Sequence, residues 1–185
     1  NEAKDQGLTR TIGLSNFPSA EWRRAQALSP ARLVTNQVEC HPYLKTLQLQ
    51  ATATELGASL TAWSPLAQGK VVGDPTLIEI GKAHGKTAAQ VTLRWLIQQG
   101  IIAIPRTSKE ARAAESFDIF DFTLTHEQMD RINALARPDP PPHCAPPPTS
   151  LRRPRSPPRS PPRLTRETPS GRPPLPRRRP LARSS

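Results

Sequence analysis

Four apolar runs, each leading into a segment of helical period, constrain this chain more than any other feature of it. They cover residues 9–14, 33–38, 60–63 and 101–104. The last, Ile101-Ile102-Ala103-Ile104, has no polar residue at all, the pattern of a strand covered on both faces. Between the runs lie helix signals. Pro18 and Ser19 start one helix that runs to about Leu28, with Glu21 in its first turn. Leu49, Ala53 and Leu56 share the face of a second that Gly57 ends. A short helix is expected over 76–83. Thr87 with Gln90, and Thr125 with Gln128, have the spacing of capping boxes. The first of these opens a helix with Ala89, Leu93, Leu96 and Ile97 as its apolar stripe, ended by Gly100. Another helix is expected from Lys109. Strand and helix in alternation predict an α/β fold, with parallel strands covered by helices. An open doubly wound sheet and part of a (β/α)8 barrel both satisfy that pattern. No G-x-G-x-x-G follows the first run, which counts against the dinucleotide-binding doubly wound fold.

The pattern stops abruptly near residue 137. From Pro138 to Ser185 there are 17 prolines and 11 arginines against two acids, Asp139 and Glu167. Most of the chain's net charge of +11 therefore sits in that segment. With few large apolar residues it cannot bury enough surface to offset the entropy of ordering, so it is expected to be a disordered tail. Residues 1–137 are the folded domain, with Trp22 and Trp95 expected in its core. Cys40 and Cys144 have no partner at disulfide or metal spacing, so no metal is expected and a reducing cytoplasm is the default compartment. No run approaches membrane-spanning length.

In parallel α/β barrels, function gathers where the strands end. The first run ends in Ser15-Asn16, the second in Asn36-Gln37-Val38-Glu39, the third in Trp63-Ser64-Pro65-Leu66, and the fourth in Pro105-Arg106-Thr107-Ser108. Carboxamides and hydroxyls can satisfy both donor and acceptor of another amide. An indole face stacks on a planar heterocycle, and arginine grips phosphate through paired hydrogen bonds. The set suits a ligand with an amide-bearing ring at one end and phosphate at the other.

"IGLSNF", "NQVECHPY", "AWSPLAQG" and "IPRTSKEAR", in that order, resemble successive strand-end motifs of the aldo-keto reductase family, with its bacterial 2,5-diketo-D-gluconate reductase-like branch nearest. The resemblance covers about residues 7–137. It implies the C-terminal half of a (β/α)8 TIM barrel, about four parallel β-α units, that binds NADPH in extended form and belongs to an enzyme reducing small-molecule aldehydes and ketones. By motif, Ser15, Asn16 and Gln37 would hold the nicotinamide carboxamide. Trp63, where the family usually has Tyr, would stack on the nicotinamide. Ser64, Leu66, Gln68 and Gly69 match the loop passing the pyrophosphate. Arg106, Thr107, Ser108 and Arg112 match the segment receiving the 2′-phosphate and adenine, and Glu115 and Ser116 match positions near the adenine. The family usually has Lys at Arg106, Ser at Thr107 and Asn at Ser116.

The family's proton-donating Tyr, its supporting Lys and Asp, and its substrate-orienting His precede "IGLSNF". No catalytic residue is therefore expected in this chain, which reads as a fragment. Tyr43 and His41 are expected to be loop residues, and Cys40 and His41 to point apart rather than pair. Asp74, Glu79 and His84 are expected to face solvent. The alternative reading is a non-catalytic nucleotide- or partner-binding module. On it the basic tail meets nucleic acid, or "PPLPRR" (Pro173–Arg178) meets an SH3-type domain. Nucleic-acid binding rests on the tail alone. A whole barrel is expected to be a monomer. A half barrel has two unpaired strand edges and is expected to self-associate.

Overall fold

The computed structural model describes residues 1–44 and 46–137. The expectations for residues 138–185 lie outside the described residues. Four parallel strands, β1 (Ile12–Ser15), β2 (Leu33–Glu39), β3 (Ser59–Trp63) and β4 (Ile102–Ala103), form one sheet in the order β1-β2-β3-β4. Strand order that follows chain order without reversal is the wall of a barrel, not a doubly wound sheet. The two alternatives that the strand–helix pattern left open are thereby decided. Helix α1 (Glu2–Asp5) precedes the strands, and α2 (Ser19–Leu28), α3 (Leu47–Glu55), α4 (Pro75–His84), α5 (Ala88–Gln98), α6 (Glu110–Phe117) and α7 (His126–Asn133) lie among and after them. A 3-10 segment, Ala67–Gly73, follows β3.

Local signals place the helices. Both capping boxes form, Thr87 with Gln90 and Thr125 with Gln128, each side chain meeting the other residue's backbone N–H. Gly100 takes φ +72° just past α5, where a side chain would be strained. Asp74 caps α4, accepting from the Thr76 and Leu77 amides. The core lies between the helices and one face of the sheet. Trp22, Val38, Leu60, Ala62, Leu77, Ile80, Val91, Leu96 and Ile132 are all buried there, with Trp95 beside them. Helix α5 buries more of its circumference than a single stripe, taking in Val91, Thr92 and Trp95 as well as Leu93 and Leu96.

The other face of the sheet is open. Thr35, Gln37, Thr61 and Trp63 alternate with buried neighbours and are only partly covered. Here the expectation for the fourth strand fails. Its regular part is two residues long, and Ile102 and Ile104 are 49% and 43% exposed. That face of β4 is open, whereas Ile101 on the helix side is buried.

Two sets of contacts fix the elements flanking the two edges of the sheet. The Gln90 side chain donates to the Glu115 and Asp118 carbonyls, and Lys86 reaches Asp118 and Asp121 at 2.8 Å, so α6 is tied to the start of α5. At the other edge, β1 lies so close to β2 that a Cβ on Gly13 would come within 2.7 Å of the Thr35 Cγ2 and 2.8 Å of its carbonyl oxygen. Gly13→Ala is expected to lower stability by about 1–3 kcal/mol, read as a shift of the urea midpoint. An unchanged midpoint would mean that β1 does not depend on this close approach.

Candidate functional site

Because all four strands run the same way, their C-terminal ends lie along one edge of the sheet. Ser15 is in register with Gln37, and Glu39 with Trp63. The Gln37 carbonyl accepts from the Asn16 amide at 2.9 Å and from the Ser15 hydroxyl at 3.1 Å. The Trp63 indole Nε1–H donates to Asn16 Oδ1 at 3.0 Å. Ser15, Asn16, Gln37 and Trp63, contributed by three strands, are thus one group. Asn16 is exposed and Trp63 is half-buried.

Asn36 was not singled out by sequence, yet it holds this group together. It is fully buried. Its Nδ2 donates to the Phe17 carbonyl at 2.7 Å and its Oδ1 accepts from the Phe17 amide at 3.3 Å. A side chain thereby takes the place of the next backbone ladder rung, and fixes the chain as it leaves β1. The signal was available: two carboxamides side by side in an apolar strand must face opposite ways, so one of them is buried and needs partners.

The remaining residues flank the group. Ser64 follows Trp63 with φ +52°, and Leu66 precedes the 3-10 segment. Gln68 and Gly69 lie within that segment at φ +56° and +91°, both exposed. The segment after β4 continues from Ile104, whose amide donates to the Ala62 carbonyl at 3.2 Å. Arg106, Thr107 and Ser108 are exposed in it, and the Thr107 hydroxyl accepts from the Lys109 amide at 3.1 Å. Arg112 is exposed on α6, while Glu115 and Ser116 are half-buried. Glu115 Oε1 accepts from the Thr87 hydroxyl at 2.7 Å, so its carboxylate joins α6 to α5. Among the described residues, no side-chain hydrogen bond links the Arg106–Ser116 stretch to the Ser15–Trp63 group. Only the shared edge relates them. Beneath the rim formed by Ser15 and Gln37, an open cavity of about 460 Å³ is lined by Gly13, Thr35, Thr61 and Ile104.

Other polar residues have structural partners. Cys40 Sγ lies 3.6 Å from Thr46 Oγ1, and His41 Nε2 lies 3.5 Å from Glu39 Oε1, so Cys40 and His41 do point apart. Burial pushes the Cys40 thiol up to about 11, which keeps it protonated. The Tyr43 hydroxyl donates to Asp74 Oδ2 at 3.0 Å, and burial, then that carboxylate, pushes it up to about 12. Asp74 and His84 do not simply face solvent. Asp74 caps α4 and receives Tyr43, and His84 Nε2 lies 3.0 Å from Gln128 Oε1. Glu79 is exposed but paired with Arg131 at 2.7 Å. Among the described residues, no cluster of three or more His, Cys, Asp or Glu side chains has metal-site geometry, and no helix is long and apolar enough to cross a membrane.

A family model described as "Aldo/keto reductase family" matches residues 1–137. The chain belongs to that family. It is 42% identical over 129 residues to a glyoxal reductase of Bacillus subtilis, covering 70% of this chain and 47% of the relative. It is 43% identical over 133 residues to aldose reductase B of Dictyostelium discoideum, covering 71% and 43%. Among solved structures, a provisionally assigned 2,5-diketo-D-gluconic acid reductase B superposes with TM-score 0.75 at 50% identity, covering 79% of this chain and 54% of that one. A Bombyx mori aldo-keto reductase in complex with NADP superposes with TM-score 0.68 at 34% identity, covering 73% and 47%. This aldo-keto reductase chain spans about half the length of the relatives it matches, and its sheet of four parallel strands matches part of the family's (β/α)8 barrel.

Burial holds the His41 imidazole below its ordinary value of 6.5, with Glu39 pulling the other way. The unfolded ring protonates first as pH falls. The stability it contributes is therefore whole above about pH 6.5 and is lost as pH drops towards the folded value. Urea midpoints between about pH 7.5 and 5.5 are expected to fall more in the wild-type chain than in His41→Asn. Equal declines would remove His41 as the cause.

Proposed function

We propose that the edge carrying the four strand tips holds NADPH in extended form, and that the chain is the coenzyme-binding part of a reductase of aldehydes and ketones. One observation carries this reading: Trp63 Nε1 on Asn16 Oδ1, which draws a carboxamide, an indole face and the adjoining Ser15 and Gln37 into one group. The donor set fits the coenzyme. Ser15, Asn16 and Gln37 meet its carboxamide, and Trp63 covers one face of its nicotinamide ring. Ser64, Leu66, Gln68 and Gly69 border its pyrophosphate. Arg106, Thr107, Ser108 and Arg112 receive its 2′-phosphate, with Glu115 and Ser116 on the adenine side. The NADP complex of the Bombyx mori relative supports this choice.

Bound there, the coenzyme supplies hydride for carbonyl reduction, and the residues of this chain bind and orient it. Proton donation is assigned to none of them. Tyr43 is the one tyrosine, and its hydroxyl is committed to Asp74. On this reading the Asp, Tyr, Lys and His of the family lie outside these residues and the chain alone does not turn over. A reducing cytoplasm is the proposed compartment, in keeping with the free, buried Cys40.

NADPH is expected to quench the tryptophan fluorescence of the 185-residue chain. Arg106→Ala is expected to weaken NADPH binding about tenfold or more and to leave NADH binding unchanged, since only the former carries the 2′-phosphate. Equal losses for both coenzymes would refute the phosphate role. The open edges of β1 and β4 and the exposed Ile102 and Ile104 lead us to expect dimers or larger species in sedimentation. A monodisperse monomer contradicts that expectation.

A further inference from the structure

We infer that Trp63 is a positioning residue whose indole N–H sets the polarity of the coenzyme's carboxamide subsite, beyond offering a ring to stack on. The inference rests on the coenzyme reading above. A primary carboxamide carries an oxygen acceptor and an NH2 donor that exchange places when the group turns over. An indole nitrogen only donates. With Trp63 Nε1 at 3.0 Å from Asn16 Oδ1, a turned Asn16 amide would bring donor against donor, so its oxygen stays with Trp63 and its NH2 is left for a ligand. The backbone leaves little freedom to escape this. Asn16 sits at φ +59°, with its own amide on the Gln37 carbonyl and its neighbour Phe17 held on both sides by Asn36.

The adjacent hydroxyl is preset in the opposite sense. Ser15 spends its proton on the Gln37 carbonyl at 3.1 Å, so towards a ligand it offers lone pairs. The edge therefore presents a donor at Asn16 beside an acceptor at Ser15, the complement of a primary carboxamide's oxygen and NH2. A tyrosine ring, usual in the family at this position, has no ring N–H to impose that order. The half-buried Trp63 supplies both stacking face and orienting donor.

Two measurements on the 185-residue chain test this. Trp63→Phe keeps an aromatic face, a smaller one than indole, and removes the N–H donor. By calorimetry it is expected to weaken NADPH about fivefold, and to leave adenosine 2′,5′-bisphosphate, which has no nicotinamide, unchanged. Separately, the indole N–H resonance that disappears in Trp63→Phe is expected to move in coenzyme-free Asn16→Gly, a substitution that left-handed backbone accepts. The other two indole signals should stay in place. An unmoved resonance overturns the hydrogen bond, and with it the inference, whatever the coenzyme does. A moved resonance with equal NADPH affinity in wild type and Trp63→Phe overturns the positioning role. Equal weakening of both nucleotides marks a structural effect and does the same. Failure of the wild-type chain to bind either nucleotide, with the resonance moved, instead removes the coenzyme reading on which the inference stands.

Discussion

Parallel hydrogen bonding of β1 to β2 to β3 to β4, in chain order, is the constraint on which everything else rests. Parallel strands joined through crossovers must all finish on the same side of the sheet. Four short polar segments, separated by up to ninety residues of sequence, therefore meet along one edge. The same ladder fixes which residues become neighbours. Register sets Ser15 against Gln37, and Glu39 against Trp63. A slip of one residue would turn Gln37 and Trp63 into the helix layer and bring Asn36 and Ala62 out of it.

Backbone strain is concentrated at the same edge. Asn16, Ser64, Ala67 and Gln68 are the non-glycine residues with positive φ among the described residues, and all follow β1 or β3. Left-handed backbone at such residues costs about 1 kcal/mol or more each. Specific bonds hold it in place: Asn36 on Phe17, the Ala67 amide on the Ser64 carbonyl at 2.9 Å, and the Gly69 amide on the Leu66 carbonyl at 2.8 Å. Strand tips bent this way point side chains across the edge, which is how Asn16 meets an indole from two strands away.

What was legible in the sequence follows from how local each determinant is. The capping boxes at Thr87 and Thr125 and the stop at Gly100 are settled within a few residues, and they appear where the spacing puts them. The strand-tip motifs named the residues at the edge, because each motif lies in one continuous stretch. Pairing with distant partners was not legible. Asp74 meets a tyrosine 31 residues away and His84 a glutamine 44 away, so both looked solvent-facing from their own helix. Ile102 and Ile104 read as buried because composition records what a strand can tolerate. Whether a second layer covers them is decided elsewhere. Trp63 was assigned by its ring face, while its N–H found a partner that only the folded geometry supplies.

The four strand tips are proposed to form one nucleotide-binding edge. This is tested most directly by following backbone amide resonances of the isotope-labelled chain as NADPH is added. The largest changes are expected at Ser15, Asn16, Gln37, Trp63 and the Arg106–Ser108 segment, with Leu33 and Ser59 at the opposite ends of their strands unmoved. Changes centred on those opposite ends, or scattered over the helices with the strand tips silent, would contradict it.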